Sequence, residues 1–135
     1  MKGIADTGFL VAFANRNDRH HDWAVLVATD VTEPLLTCEA VLAETAFHLR
    51  DSSLVLAMLR EGLIRLAFDC KDQLPALEAL ARRYADRRPD LADLCLIRMS
   101  ELYPRYSVIT VDKEDFGVYR RNKREAIPLI CPSAA

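Results

Sequence analysis

Short apolar runs of strand length alternate along this chain with longer stretches whose apolar residues recur at helical spacing. Lys2 to Ala5 reads as a strand and about Thr7 to Ala14 as the helix that follows it. Asn15-Arg16-Asn17-Asp18 is a polar loop. Ala24, Val27, Ala28 and Val31 then fall at i, i+3, i+4 and i+7, one face of a second helix. Pro34 to Thr37 gives a second strand. Helices follow over about Cys38 to Arg50 and Ser53 to Glu61, with cap chemistry in Asp51-Ser52-Ser53 and a stop at Gly62. Leu63 to Phe68 is the third strand. Leu74, Leu77, Ala81 and Tyr84 stripe another helix, and Pro89-Asp90 opens one that runs to about Tyr103. Ser107 to Val111 is a fourth strand, Asp115 to Arg121 a short helix, and Ile127 to Cys131 a fifth strand. Strands separated by helices predict the α/β class, with a parallel sheet covered by helices on both faces. In such sheets ligands gather at the carboxyl ends of the strands, where Asp6 and Asp112 fall.

Composition narrows this only a little. At 135 residues the chain reads as one domain, residues 1–135, with 51% apolar and 28% charged residues, an ordinary globule. The formal charge of −2 provides no global basic field, so nucleic acid would have to be held by local patches. No apolar run approaches the ~20 residues of a membrane span. The first residues meet an acid before any secretory apolar segment develops, so the expected location is cytoplasmic. Cys38, Cys70, Cys95 and Cys131 are widely separated and beside apolar runs, which reads as small buried hydrophobes rather than zinc ligands or disulfides.

Four acids change the picture more. Asp6 follows an apolar run; Glu44 interrupts Ala40-Val41-Leu42-Ala43 and Thr45-Ala46-Phe47; Asp93 sits inside Leu91-Ala92-Asp93-Leu94-Cys95; Asp112 follows Val108-Ile109-Thr110-Val111. Carboxylates are rarely buried unless paired or bound to a cation. Each has a local alternative. Asp6 caps the helix starting at Thr7, Asp90 and Asp93 are cap and third-position acids of theirs, and Asp112 shapes a turn. Glu44 is the hardest to explain locally, because an unpaired carboxylate among apolar neighbours would cost several kcal/mol; a salt bridge to a distant arginine is its structural alternative. If the four converge, repulsion forbids full ionisation without compensating positive charge, and a hard divalent cation such as Mg²⁺ prefers such oxygen ligands.

Five segments, taken in order, carry a resemblance: Ile4-Ala5-Asp6-Thr7-Gly8-Phe9-Leu10, Asp18-Arg19-His20-His21-Asp22-Trp23-Ala24, Val41-Leu42-Ala43-Glu44-Thr45, Asp90-Leu91-Ala92-Asp93-Leu94, and Val108 to Arg120. With this order and spacing the chain resembles the PIN-domain nucleases, and within them the VapC-like toxins of type II toxin–antitoxin pairs. The resemblance implies a doubly wound, three-layer α/β/α sandwich with a central, mostly parallel sheet of about five strands. It implies an acidic centre of Asp6, Glu44, Asp93 and Asp112, Mg²⁺ or Mn²⁺ as cofactor, and endonucleolytic cleavage of RNA. It also implies a cognate antitoxin protein and a homodimer as partners, the outer faces of the Glu39 to Glu61 helix pair being candidate contacts. Gly8 departs from the pattern, since such proteins often carry serine there.

On metal-assisted hydrolysis, Asp6 and Asp93 are expected as main ligands, with Glu44 and Asp112 completing the shell directly or through water. Thr7 and Thr110 would hydrogen-bond ligands or substrate, and Asp90 and Asp115 would support the site. Arg87, Arg88, Arg120 and Arg121 are candidate RNA contacts against a default of solvated surface. Tyr119 would stack a base or pack its helix. His21 reads as structural, and His48, four residues after Glu44, as a residue sharing that helix face. Rival readings are a catalytically silent PIN-like module that binds RNA or protein, an aspartic protease around Asp6-Thr7-Gly8, and an acidic receiver or phosphatase-type domain. The protease needs a β-rich frame and leaves three acids unexplained; the last has no pattern beyond the acids.

Overall fold

The computed structural model describes residues 1–133. Its first half runs β1 (Gly3–Ala5), α1 (Thr7–Ala14), α2 (His21–Thr29), β2 (Leu35–Thr37), α3 (Glu39–Leu49), α4 (Ser52–Arg60) and β3 (Ile64–Leu66). The second half adds a 3-10 turn (Cys70–Gln73), α5 (Leu74–Arg83), a second such turn (Ala85–Arg87), α6 (Leu91–Leu102), β4 (Ser107–Ile109) and α7 (Lys113–Val118). A hairpin of β5 (Arg120–Arg121) and β6 (Glu125–Ala126) then leads to β7 (Leu129–Ile130).

Five strands form a parallel sheet in the order β3-β2-β1-β4-β7, with Ile4 beside Leu36 on one side and Val108 on the other. The seven helices flank it, giving a three-layer α/β/α sandwich. Strands β1 and β2 are buried along their whole length, as expected for a sheet covered on both faces. Ile4, Leu36, Ile109 and Phe9 lie at the centre of the core, with Leu96, Ile97 and Met99 of α6 packed into it. Among the described residues no helix is long and apolar enough to cross a membrane.

The strand order decides where a ligand can sit. From β1 the chain moves outward through β2 to β3, then returns to β4 on the opposite side of β1. The connections leave β1 and β4 in opposite directions, and this reversal opens a crevice at their carboxyl ends. Asp6 directly follows β1 and its backbone N–H donates to the Ile109 carbonyl at 3.0 Å, so the acid is pinned at that crevice.

One stretch near the C-terminal end differs from the sequence expectation. The expected helix over Asp115 to Arg121 is instead α7, which starts earlier because the Asp112 side chain accepts from the Asp115 N–H, and which stops at Val118. Arg120 and Arg121 belong to the hairpin, whose turn holds Asn122 and Lys123 at positive φ (50° and 72°). No glycine marks that turn, so local chemistry did not advertise it. The cysteines are free thiols, as the sequence suggested, with Cys38 and Cys95 buried and Cys70 and Cys131 half-buried. Far apart in sequence, Cys70 and Cys95 stand with sulfurs 3.5 Å apart.

Candidate active site

Three helix N-termini meet at the crevice. Asp6 caps α1, Asp90 and Asp93 occupy the first turn of α6, and Asp112 caps α7; Glu44 reaches in from the middle of α3. All five acids line one cleft of about 470 Å³, together with Thr7, Gly8, Asp18, Arg19, His20, His48 and Val111. The partial positive charge of a helix N-terminus favours nearby carboxylates, which is a local reason why this much negative charge is tolerated in one place. A larger groove of about 720 Å³ passes Phe47 and Arg50, but its one carboxylate, Asp51, is spent capping α4. Chemistry therefore selects the acidic cleft.

Two threonines hold the acids in register. The Thr7 backbone N–H donates to Asp6 Oδ1 at 2.7 Å while its hydroxyl donates to Glu44 Oε1 at 2.8 Å, so one residue joins α1 to α3. The Thr110 hydroxyl donates to Asp6 Oδ2 at 2.6 Å and accepts from the Asp112 N–H at 2.9 Å, joining the ends of β1 and β4. Asp93 is held from the other side, its Oδ2 accepting from the Tyr119 hydroxyl at 3.1 Å. Asp90 accepts from the Asp93 N–H as the α6 cap.

Electrostatics separates these carboxyls from ordinary surface acids. Asp6 is 7% exposed, and burial, joined by Asp112 and Glu44, raises it to about 6 against the lowering effect of the Thr110 and Thr7 hydrogen bonds. Asp93 is raised to about 7, first by burial and then by Asp90 and Asp6. Asp112 is also raised, mainly by burial. Among the described residues no lysine, arginine or histidine forms an ion pair with Asp6, Glu44, Asp93 or Asp112. The four are thus short of positive charge.

Several expectations need correction. Glu44 is half-buried rather than sunk among apolar neighbours; Val41 and Thr45 face inward while Ala43 and Phe47 face out, so its carboxylate avoids the full burial cost. Tyr119 is 1% exposed, edge-on to Tyr84 and Phe116, and cannot stack a base. Arg121 is 7% exposed, its guanidinium committed to Glu125 and the carbonyls of Ser100 and Pro104, which removes it from RNA contact. Arg120 donates to the Gly117 and Tyr119 carbonyls, closing the end of α7. Arg87 pairs with Asp115 at 2.7 Å, and Arg88 is exposed. None of these four arginines lines the acidic cleft; Arg19 does. Arg19 was missed as a cleft cation because one arginine in a polar loop carries no local signal. His21 is structural as read, its Nδ1 2.8 Å from the Ala12 carbonyl, and His48 does share the Glu44 side of α3 at the cleft.

Gly8 has a steric reason: a Cβ there would run into Val111 Cγ2, so a larger side chain requires the valine to move.

The donor set suits a hard divalent cation in type, all oxygen and short of positive charge. Its present spacing is looser than its chemistry: among the described residues no three histidine, cysteine or acidic groups stand close enough to hold a metal ion as placed. The carboxylates are turned onto Thr7, Thr110, Tyr119 and the Asp115 N–H. No protein-family model matches the chain, and no curated protein matches it.

Proposed function

We propose that this protein is a Mg²⁺- or Mn²⁺-dependent endoribonuclease that hydrolyses RNA phosphodiester bonds at the cleft between the ends of β1 and β4. The observation that carries the proposal is the company of Asp6, Glu44, Asp93 and Asp112 in one cleft without a paired cation, two of them raised by burial and by one another. Asp6 and Asp93 would hold the ion, with Glu44 and Asp112 completing the shell directly or through water. A bound divalent ion supplies an acidified water and offsets charge on the phosphate. The chain's own residues do the rest. Thr7 and Thr110 fix the carboxylates of Asp6 and Glu44, Tyr119 orients Asp93, and the N-termini of α1, α6 and α7 offer partial positive charge. Arg19, at the cleft wall, is the side chain placed to meet a phosphate.

Cleavage of RNA that requires Mg²⁺ or Mn²⁺, stops with EDTA and is lost in Asp6→Asn tests the reading. Metal-independent cleavage, or full activity in a folded Asp6→Asn protein, would overturn it. The spacing of the carboxylates favours one rival, a silent module that binds RNA without cutting it. That rival predicts RNA binding with no Mn²⁺ uptake by titration calorimetry. The toxin role, with an antitoxin protein and a homodimer as partners, extends the proposal from the resemblance. It is supported by the outer faces of α3 and α4, which leave Phe47 78% and Leu56 61% exposed. A gene for a small antitoxin-type protein adjacent to this one would support that role, and its absence would favour a housekeeping nuclease.

A further inference from the structure

Three thiols that sequence separates are gathered beside α6. Cys95 is fully buried on that helix, and its sulfur lies 3.5 Å from that of Cys70, the first residue of the turn at 70–73. The thiol of Cys38, 1% exposed at the start of α3, lies on the same side of the core near Cys95. Of the three, Cys70 alone is half-buried rather than enclosed, so an oxidant from solvent meets it first. The approach is close to bonding range, since a disulfide needs sulfurs at about 2.05 Å and a closure of about 1.5 Å is within the reach of side-chain rotation and a small shift of a surface turn.

We propose that Cys70 and Cys95 are a peroxide-oxidisable pair that closes into a disulfide, clamping the turn at 70–73 to α6 two residues beyond Asp93. The chemistry balances with hydrogen peroxide as oxidant. The Cys70 thiolate attacks one peroxide oxygen, the O–O bond breaks, and Cys70 becomes a sulfenic acid while hydroxide leaves and takes up the proton lost by the thiol. The Cys95 sulfur then attacks the Cys70 sulfur, forming the S–S bond and breaking S–O; the departing hydroxide leaves as water with the Cys95 proton. Two thiols lose two hydrogens and one peroxide becomes two waters. Cys38–Cys95 is the lesser pair because neither sulfur is open to the oxidant. The pair stands independently of the nuclease reading, although Cys95 shares its helix with Asp90 and Asp93, so the clamp acts on the wall of the acidic cleft.

The test treats the reduced full chain with hydrogen peroxide, blocks remaining thiols with iodoacetamide after unfolding, and maps the peptides by mass spectrometry without reductant. The expected product is a Cys70–Cys95 peptide pair lighter by two hydrogens, lost on adding dithiothreitol, in a chain whose Tm lies above that of the reduced form. In Cys70→Ser, Cys95 should remain fully alkylated after the same treatment. Four results would each overturn the proposal: Cys70 over-oxidised while Cys95 stays free, a Cys38–Cys95 link as the main product, chain-to-chain links through Cys131 in place of the internal one, or an oxidised chain that melts below the reduced one.

Discussion

The acidic cleft and the hairpin that follows α7 treat charge in opposite ways. At the hairpin, Arg121 is buried yet its guanidinium is answered, Nε by Glu125 at 2.6 Å and Nη1 by two carbonyls at 3.1 Å. Arg120 likewise closes the end of α7. At the cleft, two of the carboxyls sit well above the usual carboxylate range and no cation pairs with them. Charge placed for folding finds its partner inside the chain. Charge left unanswered in a crevice is a cost to the fold, and such groups cluster where a ligand supplies what is missing.

The sharpest way to break this comparison is to remove one charge from each region. Asp93→Asn should lower metal-dependent RNA cleavage by more than roughly 100-fold, beyond what loss of a supporting residue usually costs. Its Tm without metal should equal or exceed that of the parent, because repulsion is relieved; normal cleavage by the folded variant would take Asp93 out of the mechanism. Arg121→Ala should do the reverse. It should cost about 2–3 kcal/mol of stability by denaturant unfolding, since Glu125 and two carbonyls lose their donor, while Mn²⁺ affinity at the cleft stays unchanged.

Acidity gives a milder contrast. The folded chain holds protons on Asp6 and Asp93 that the unfolded chain releases near pH 4. This stability is therefore full below about pH 4 and is lost as pH rises through about 6 and 7. Without metal, unfolding free energy should fall between pH 5 and pH 8 by on the order of 2 kcal/mol, and adding Mn²⁺ at pH 8 should recover it. An Asp6→Asn, Asp93→Asn double variant should show a much shallower profile over that range, with Asp112 still raised; a slope equal to the parent's would locate the effect elsewhere.

The smaller changes sharpen the picture. Glu44→Gln keeps an acceptor for the Thr7 hydroxyl and should weaken Mn²⁺ binding about tenfold by calorimetry. Unchanged affinity would make Glu44 a packing residue. Tyr119→Phe deletes the hydroxyl that donates to Asp93 and should cost about 1 kcal/mol of stability, with a modest fall in Mn²⁺ affinity and kcat rather than a change in KM for RNA.

Much of the fold was legible because its signals are local. The Thr7–Ala14 helix, the α6 cap at Asp90 and the alternation of strand and helix follow from residues within a turn of one another. Strand ends were less legible: the apolar run to Val111 reads as strand, but pairing with β1 ends at Ile109, where Asp6 meets it. The hairpin turn at Asn122 and Lys123 was hard to read because no glycine marks its two positive-φ positions. At the site, the acids could be named singly from sequence. The hydroxyl bonds that join them, Thr7 to Glu44, Thr110 to Asp6 and Tyr119 to Asp93, span 26 to 104 residues, and no short window contains them.

Sequence by itself determined the class of fold, the helix caps and a short list of candidate acids, because periodicity and capping are properties of neighbouring residues. Only the tertiary structure decided that those acids share a cleft, that Arg121 and Tyr119 turn inward, and that three distant cysteines meet at α6. The physical reason is the reversal of connections at β1 and β4. It brings together chain segments a hundred residues apart, and the partners, burial and charge of each side chain are set by that meeting.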